Sequence, residues 1–292
     1  MRISEQKSLK IKRSHIGLLF FVLIGVLPFA AALTYATLYS FGLVGVVNTG
    51  FTTQFWVEVW QSGELLRSFG YSIAIAAASV LLSVGGAMWL TVQYQRDLNR
   101  KFMSYVIYLP LAVPGVVAAF FTFQLLSKSG FFARIGYHLG WITEVSDFPD
   151  LVNDPYAIGI VLTFVTIGLP FFLLLFLNVY QNERVDALNE LAASLGATRG
   201  QTLRRVAVPL LLRRTWPLIA LYFIFMLGSY EVPLILGQES PQMLSVLIVR
   251  EIKQYDLSKI SEGYVVAVIY TVVVALAAVA LFARRKKPAH ES

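Results

Sequence analysis

Residues 156–180 read YAIGIVLTFVTIGLPFFLLLFLNVY, a stretch of 25 residues without a charged side chain. A helix of about 20 apolar residues is long enough to cross the hydrocarbon core of a bilayer. The stretch lacks the strict alternation of apolar and polar residues that marks a strand of a membrane β-barrel. It is therefore predicted to form a transmembrane helix.

Five further stretches share this character and set the fold class. They cover residues 15–39, 69–92, 102–126, 210–236 and 263–283. Charged residues make up only 14% of the chain, whereas a soluble domain carries about 25%. This composition excludes an ordinary soluble enzyme and an intrinsically disordered chain. We predict an all-α integral membrane protein with six transmembrane helices, in which residues 1–14 form a cytoplasmic N-terminal segment and residues 15–292 a single transmembrane domain.

The basic residues predict the orientation of the six helices. With six crossings, 18 of the 24 Lys and Arg residues fall on the side that holds both termini. Because loops rich in Lys and Arg stay in the cytoplasm, both termini are expected there. The first apolar stretch is longer than the roughly 7–15 residues of a signal-peptide core, so we expect it to remain as an uncleaved anchor.

The loop between the fourth and fifth stretches carries the most informative pattern. Residues 182–209 read NERVDALNELAASLGATRGQTLRRVAVP. One side of the helix predicted here is apolar and is expected to pack on the protein's own helix ends: Val185, Leu188, Ala192 and Leu195. Another side joins one carboxylate to small side chains and would fit a groove on another protein: Glu190, Ala193, Ser194 and Ala197. Periodicity alone leaves open an amphipathic helix that lies on the membrane surface.

The same loop contains residues that end one helix and begin the next. Gly196 is predicted to end the first helix in a left-handed conformation. Thr198 and Gln201, three residues apart, match a capping box at the start of a second short helix. Pro209 is expected near the first turn of the fifth transmembrane helix. The loop is thus predicted to be ordered.

Four residues of this loop follow the spacing of a known signature. Glu190, Ala192, Gly196 and Pro209 match the pattern Glu-Ala-Ala, three residues, Gly, nine residues, Ile-x-Leu-Pro. Valines stand at its two aliphatic positions, and Leu191 replaces the first alanine. The loop resembles the coupling loop of type I permease subunits of binding-protein-dependent ABC importers.

The resemblance covers about residues 69–283 and implies a function with several partners. Such permeases work in pairs of identical or homologous subunits in the bacterial inner membrane. Each subunit inserts its cytoplasmic coupling helix into one subunit of an ABC ATPase dimer, and a solute-binding protein delivers the cargo. The residues implied in coupling are Glu190, Ala192, Ala193, Gly196, Ala197 and Pro209.

The subunit that binds and hydrolyses ATP is expected to be a separate protein. A P-loop needs a Gly-Lys pair, and the sequence has none. We therefore expect no enzymatic activity in this chain, no cofactor, no metal site and no nucleic-acid partner, with membrane lipid around the helices.

The fifth stretch holds the candidate substrate path. Residues 228–233 read GSYEVP, and the Gly and Pro predict a break in the helix next to Glu231. Tyr222 and Tyr230 would offer ring faces to a cation. The candidate residues of the substrate path are therefore Glu231, Tyr230, Tyr222 and Pro233. This ending is similar to that of polyamine permeases, and more loosely to that of permeases for sulfate, ferric ion or phosphonates. The resemblance to polyamine permeases implies a cargo such as spermidine or putrescine. The alternative is that Glu231 reaches the outer headgroups and the aromatic residues form an interfacial belt.

Prolines interrupt two other stretches. Pro110, Pro114 and Pro170 each lack a backbone N–H and are expected to kink their helices. The alternative function considered is an ion-coupled secondary transporter. Such a protein would need ionisable residues near the midplane and usually has related halves. The sequence displays neither feature.

Overall fold

The computed structural model describes residues 17–46, 48, 50–98 and 101–283, and the regular secondary structure of these residues is helical throughout. Six helical stretches are long and apolar enough to cross a membrane: Gly17–Ser40, Glu64–Gln95, Gly115–His138, Ile158–Asn182, Arg199–Leu227 and Leu257–Leu281. The predicted fold class is confirmed. The predicted segment 1–14, His15, the basic tail after residue 283 and His290 lie outside the described residues.

We number the helices in chain order. They are α1 (Gly17–Ser40), α2 (Gln54–Ser62), α3 (Glu64–Leu98), α4 (Lys101–Tyr108), α5 (Gly115–Leu126), α6 (Phe131–His138), α7 (Ile158–Asn182), α8 (Val185–Ser194), α9 (Arg199–Thr202), α10 (Val208–Leu227), α11 (Glu231–Leu236), α12 (Leu244–Ile252) and α13 (Leu257–Ala283). A π-helical segment, Leu203–Ala207, joins α9 to α10 without a break.

The third apolar stretch is divided by its prolines. We predicted one kinked helix over residues 102–126, which is wrong, because α4 ends before Pro110 and α5 begins after Pro114. Val113 is extended, with φ −87° and ψ 121°. A residue that precedes proline is pushed out of the helical region. The third spanning candidate consequently begins at Gly115 and continues through α6.

The chain divides into two compact units. Among the described residues, the smaller unit comprises those up to Gly63 together with Ile248–Val273, and the larger unit comprises those of Glu64–Leu247 together with those from Val274 to Ala283. Each unit is described by itself below. The single transmembrane domain over residues 15–292 stays a prediction.

The larger unit is packed around α7. Its core joins the buried face of α7 to residues of α3, α4, α8 and α10 and of the π-helical segment: Ala87, Met88, Ile107, Phe172, Leu173, Phe176, Leu177, Tyr180, Val185, Ala207 and Leu211. This core reaches the end of α7 and includes the first residue of α8. The start of the segment 182–209 is therefore part of the hydrophobic core.

The start of α7 is fixed by a buried carboxylate. Asp154 is 2% exposed. Its side chain accepts hydrogen bonds from the backbone N–H groups of Tyr156 at 3.0 Å and Ile158 at 2.9 Å. Backbone donors at a helix start have no partner within the helix, so Asp154 supplies one where α7 begins.

The smaller unit has an aromatic centre. The rings of Tyr39 and Tyr264 stack with their centroids 4.3 Å apart, and Tyr35 meets Tyr264 edge-on at 6.0 Å. The hydroxyl of Tyr39 accepts a hydrogen bond from the backbone N–H of Val46 at 3.2 Å. These contacts join α13 to the end of α1 and to the chain that follows it.

Candidate functional site

The segment 182–209 leaves α7 through a tight turn and is anchored by Val185. Arg184 adopts a left-handed conformation with φ 50°. Val185, which follows it, is 0% exposed and belongs to the core cluster that contains Phe176 and Tyr180. The N-terminal end of α8 is thus fixed to the end of α7.

A polar network holds the next turn of α8 against the protein. The Tyr180 hydroxyl donates a hydrogen bond to Asp186 Oδ1 at 3.0 Å, and Asn189 Nδ2 donates to the same hydroxyl oxygen at 3.2 Å. Gln95 Nε2 of α3 lies 3.2 Å from Asp186 Oδ1 and 3.1 Å from Oδ2. Asp186 and Asn189 therefore face the rest of the larger unit.

This network turns the leucines of α8 outward. Leu188 is 37% exposed, Leu191 59% and Leu195 81%. We predicted that the side containing Leu188 and Leu195 would pack on the protein, which is wrong for these two residues, because the polar side chains occupy the inner face. Glu190 is also exposed. The outer side of α8 thus presents three leucines, with one carboxylate beside them.

The end of α8 has the predicted geometry. Gly196 has φ +83°, and its N–H donates to the Ala193 carbonyl at 2.9 Å, while the Ala197 N–H donates to the Ala192 carbonyl at 3.0 Å. These two bonds define a Schellman motif, which satisfies carbonyls that would otherwise lack partners. The left-handed end predicted for Gly196 is confirmed.

The start of α9 also follows the prediction. The Gln201 backbone N–H donates to Thr198 Oγ1 at 3.4 Å, and the Thr198 N–H donates to Gln201 Oε1 at 2.9 Å. These reciprocal bonds form the predicted capping box. Pro209 lies in the first turn of α10, as predicted. It has no N–H for the carbonyl four residues earlier, which lies in the π-helical segment.

Two of the predicted coupling residues line a cavity. It has a volume of about 500 Å³, and Ala193 and Ala197 line it together with Tyr94 and Thr202. Ala192 is partly buried. Ala193 is exposed and Ala197 partly buried, and both face the cavity, whereas Glu190 is exposed and is not one of the residues that line it.

The predicted substrate-path residues lie in different surroundings. The fifth spanning helix breaks as predicted, since α10 ends at Leu227 and α11 begins with the exposed Glu231. The Oε2 atom of Glu231 lies 3.7 Å from the position that a Cβ would take on Gly115, the first residue of α5. This places the carboxylate beside the positive end of the α5 dipole.

The other three residues of that set are less exposed. Tyr222 stacks on Phe171 with ring centroids 5.3 Å apart and meets Phe172 edge-on at 5.0 Å. Tyr230 is partly buried, and Pro233 is buried. Tyr222 therefore belongs to an aromatic group on α7 and α10, whereas Glu231 lies next to α5.

The residues that hold α8 against the protein were hard to identify from the sequence. Asp186 and Asn189 are three residues apart, a spacing that places them on one helix face, and this was the available signal. Their partner Gln95 is 91 residues away in the sequence. Gln93 Oε1, which accepts a hydrogen bond from an Arg199 guanidinium nitrogen at 3.1 Å, is 106 residues from its partner. Contacts over such distances have no local signature.

Comparison with known proteins assigns the chain to a family. The model of the family described as "Binding-protein-dependent transport system inner membrane component" matches residues 83–286, which is more than two thirds of the chain. The sulfate transport system permease protein CysT of Synechocystis is 28% identical over 251 residues, which cover 82% of this chain and 78% of that protein. The maltose/maltodextrin permease MalF of Vibrio vulnificus is 26% identical over 210 residues, or 68% of this chain and 39% of MalF.

A solved structure supports the fold. The crystal structure of a bacterial ABC transporter that imports the acidic polysaccharide alginate contains a chain that aligns with a TM-score of 0.69 at 18% identity, covering 98% of this chain and 100% of that one. The names of these relatives give no support to the narrower resemblance to polyamine permeases. The family match over residues 83–286 nevertheless confirms the broader resemblance, and the chain belongs to the binding-protein-dependent transport system inner membrane components, as a permease subunit of an ABC importer.

Proposed function

We propose that α8 is the coupling helix of this permease and that it docks on a separate ATPase subunit on the cytoplasmic side of the membrane. The observation that carries the proposal is the exposed side of α8 formed by Leu188, Leu191 and Leu195, within a segment that has the family's signature spacing. The complete importer would also contain a second permease, identical or homologous, and a solute-binding protein.

Burial of the three leucines would provide much of the docking free energy. Their exposed fractions of 37%, 59% and 81% amount to nearly two whole side chains. Full burial of a leucine contributes about 1.5–3 kcal/mol, so docking would gain roughly 3–5 kcal/mol from these residues. Glu190, on the same exposed surface, would add a pair with an arginine of the partner.

The charges of α8 argue against the membrane surface as its binding site. Helices that lie on anionic lipid are rich in Lys and Arg on their polar face. Residues 185–194 contain two acidic residues, Asp186 and Glu190, and no basic residue. An acidic helix with exposed leucines fits a protein groove that carries positive charge better than it fits a lipid headgroup layer.

Co-purification with the ATPase tests this proposal. We expect Leu191→Asp, introduced into the complete importer, to lower the amount of ATPase that remains bound to the permease, because docking would bury a charge. Leu139→Asp is a matched control, since Leu139 is 57% exposed and lies in a loop predicted to be on the opposite side. Full retention of the ATPase by Leu191→Asp would contradict the proposal, as would equal loss in both variants.

A second, finer proposal concerns the cargo. We propose that Glu231 lies on the path of an organic cation such as a polyamine, with Tyr230 next to it in the sequence and Tyr222 and Pro233 nearby along the chain. The exposed carboxylate at the break between α10 and α11 supports this. The position of Glu231 beside the start of α5 favours the opposite view, in which the carboxylate is balanced by the helix dipole.

Uptake assays separate these two views. A charge-assisted hydrogen bond contributes about 1.5–3 kcal/mol, so Glu231→Gln should reduce spermidine uptake about tenfold or more. Glu239→Gln, a change at another exposed glutamate, should leave uptake unchanged. Unaltered spermidine uptake in Glu231→Gln, or uptake of sulfate but not of spermidine by the unmodified importer, would remove Glu231 from a cation path. The family assignment gives no support to the ion-coupled secondary transporter considered above.

A further inference from the structure

The end of α3, which we predicted to lie on the cytoplasmic side, is kinked where it meets α8. Tyr94 has φ −125° and ψ 18°, which interrupts the helical conformation of Glu64–Leu98. The residues on either side of it, Gln93 and Gln95, each bond to a different part of the segment 182–209. The kink therefore lies between two points of attachment.

The first attachment is at the start of α8. Gln95 Nε2 donates to both carboxylate oxygens of Asp186, at 3.2 Å and 3.1 Å. The Tyr180 hydroxyl of α7 donates to Oδ1 of the same carboxylate at 3.0 Å. Asp186 thus joins α3, α7 and α8, and it lies one helical turn before Glu190 on the exposed surface.

The second attachment follows the end of α8. A guanidinium nitrogen of Arg199 donates to Gln93 Oε1 at 3.1 Å. Arg199 is the first residue of α9, three residues after the Gly196 cap. The segment is therefore linked to α3 at the start of α8 and at the start of α9, on the two sides of Tyr94.

Between the two attachments lies the cavity of about 500 Å³, which Ala193, Ala197 and Tyr94 help to line. Close-packed helices transmit a displacement over their whole contact face. Where a cavity separates them, a displacement of α8 reaches α3 through the attached side chains. The cavity also leaves space into which the small residues Ala193 and Ala197 can move.

We infer that Asp186 and Gln95 are positioning residues that transmit movement of the coupling helix to the second transmembrane helix, α3, at the kink at Tyr94. This inference rests on the proposed role of α8 as the coupling helix. The ATPase moves α8, and the Asp186–Gln95 bond draws the end of α3 with it. The neighbouring link from Arg199 to Gln93 keeps the far end of the segment in register.

Reversal of the bond's polarity tests the inference. In Gln95→Glu, a carboxylate replaces the donor and repels Asp186. In the double variant Gln95→Glu with Asp186→Asn, the asparagine amide donates to the new carboxylate, and its carbonyl oxygen still accepts from Tyr180. The control Asn182→Asp adds the same charge at the end of α7 and removes a local bond to Asn178, which measures 2.7 Å.

Uptake per ATP hydrolysed is measured with the complete importer in proteoliposomes, together with the amount of ATPase bound. Gln95→Glu should keep the ATPase bound but lower uptake per ATP at least about fivefold, the lower end of usual coupling effects between sites. In the double variant, uptake per ATP should recover to within about twofold of the value for the unmodified protein. Uptake per ATP in Asn182→Asp should equal that of the unmodified protein. If the Asp186–Gln95 hydrogen bond served only folding, its loss would change the amount of assembled importer but not the uptake per ATP hydrolysed.

Two results would overturn the inference. One is unchanged uptake per ATP in Gln95→Glu, and the other is a double variant as impaired as Gln95→Glu alone. Failure of the proposed function is seen separately, since Leu191→Asp would then retain the ATPase in full. Loss of the ATPase by Leu191→Asp, with no effect of Gln95→Glu, would leave the coupling helix in place and reject the transmission step alone.

Discussion

Gly196 ends α8 in a left-handed conformation, and its replacement by alanine isolates the cost of that conformation. Its φ is +83°, and a Cβ added there would meet no atom within 4 Å. Steric contact with neighbouring groups therefore adds nothing to the cost. An L-residue with a side chain adopts this conformation at a cost of about 1–2 kcal/mol, which favours opening of the helix end by roughly 5- to 30-fold.

Hydrogen exchange of the backbone amides measures this opening. In Gly196→Ala, the amides of residues 196 and 197, which form the Schellman bonds, should exchange faster by that factor. Gly200→Ala is the matched control, because Gly200 has no positive φ and a Cβ there also meets nothing within 4 Å. It should leave exchange unchanged or slow it, since alanine favours a helix by about 1 kcal/mol over glycine.

An intermediate variant sharpens the test. Asparagine tolerates the left-handed region better than alanine does, so Gly196→Asn should open less often than Gly196→Ala. Exchange in Gly196→Ala no faster than in Gly200→Ala would contradict a conformational cost at residue 196. Equal opening of the asparagine and alanine variants would also contradict it, because the cost would then not arise from backbone conformation.

Three other variants address the helix start, the helix packing and the exposed carboxylate. Asp154→Ala removes the acceptor of two backbone donors before α7 and should destabilise the protein by about 2 kcal/mol, seen as a lower Tm in detergent. Gly168→Ala would place a Cβ 2.8 Å from Ser83 Oγ and 2.9 Å from the Tyr222 hydroxyl, which should destabilise the protein by about 1–3 kcal/mol. Adding Tyr222→Phe should restore part of this stability. An unchanged Tm in Gly168→Ala would contradict this packing. Glu190→Lys should lower uptake while membrane insertion and Tm stay normal, and unchanged uptake would count against its coupling role.

Local chemistry was sufficient to predict the end of α8 and the start of α9. The Gly196 cap and the Thr198–Gln201 box depend on partners within five residues. The spanning helices were equally accessible, because a bilayer of fixed thickness demands long apolar runs. These features depend on hydropathy or on neighbouring residues, and the sequence was therefore sufficient to predict them.

The rotation of α8 was not predictable in this way. Apolar periodicity favoured an inward position for Leu188 and Leu195, but a carboxylate bonded to Gln95 and Tyr180 faces inward instead. The third apolar stretch failed for a different reason. Pro110 and Pro114 were recognised in the sequence, but the apolar stretch was long enough to suggest one continuous helix. In the structure the two nearby prolines end one helix and precede the next, instead of kinking a single helix.

The most direct test of the central claim is crosslinking from the outer side of α8. The chain has no cysteine, so Leu195→Cys, at the 81% exposed position, provides a single reactive thiol, and Leu139→Cys provides the control. In membrane vesicles that contain the complete importer, a thiol-specific crosslinker should join residue 195, but not residue 139, to the ATPase subunit. If residue 195 forms no adduct with the ATPase, the assignment of α8 as the coupling helix is contradicted. The assignment is also contradicted if a membrane-impermeant maleimide, added outside intact cells, labels the thiol at residue 195.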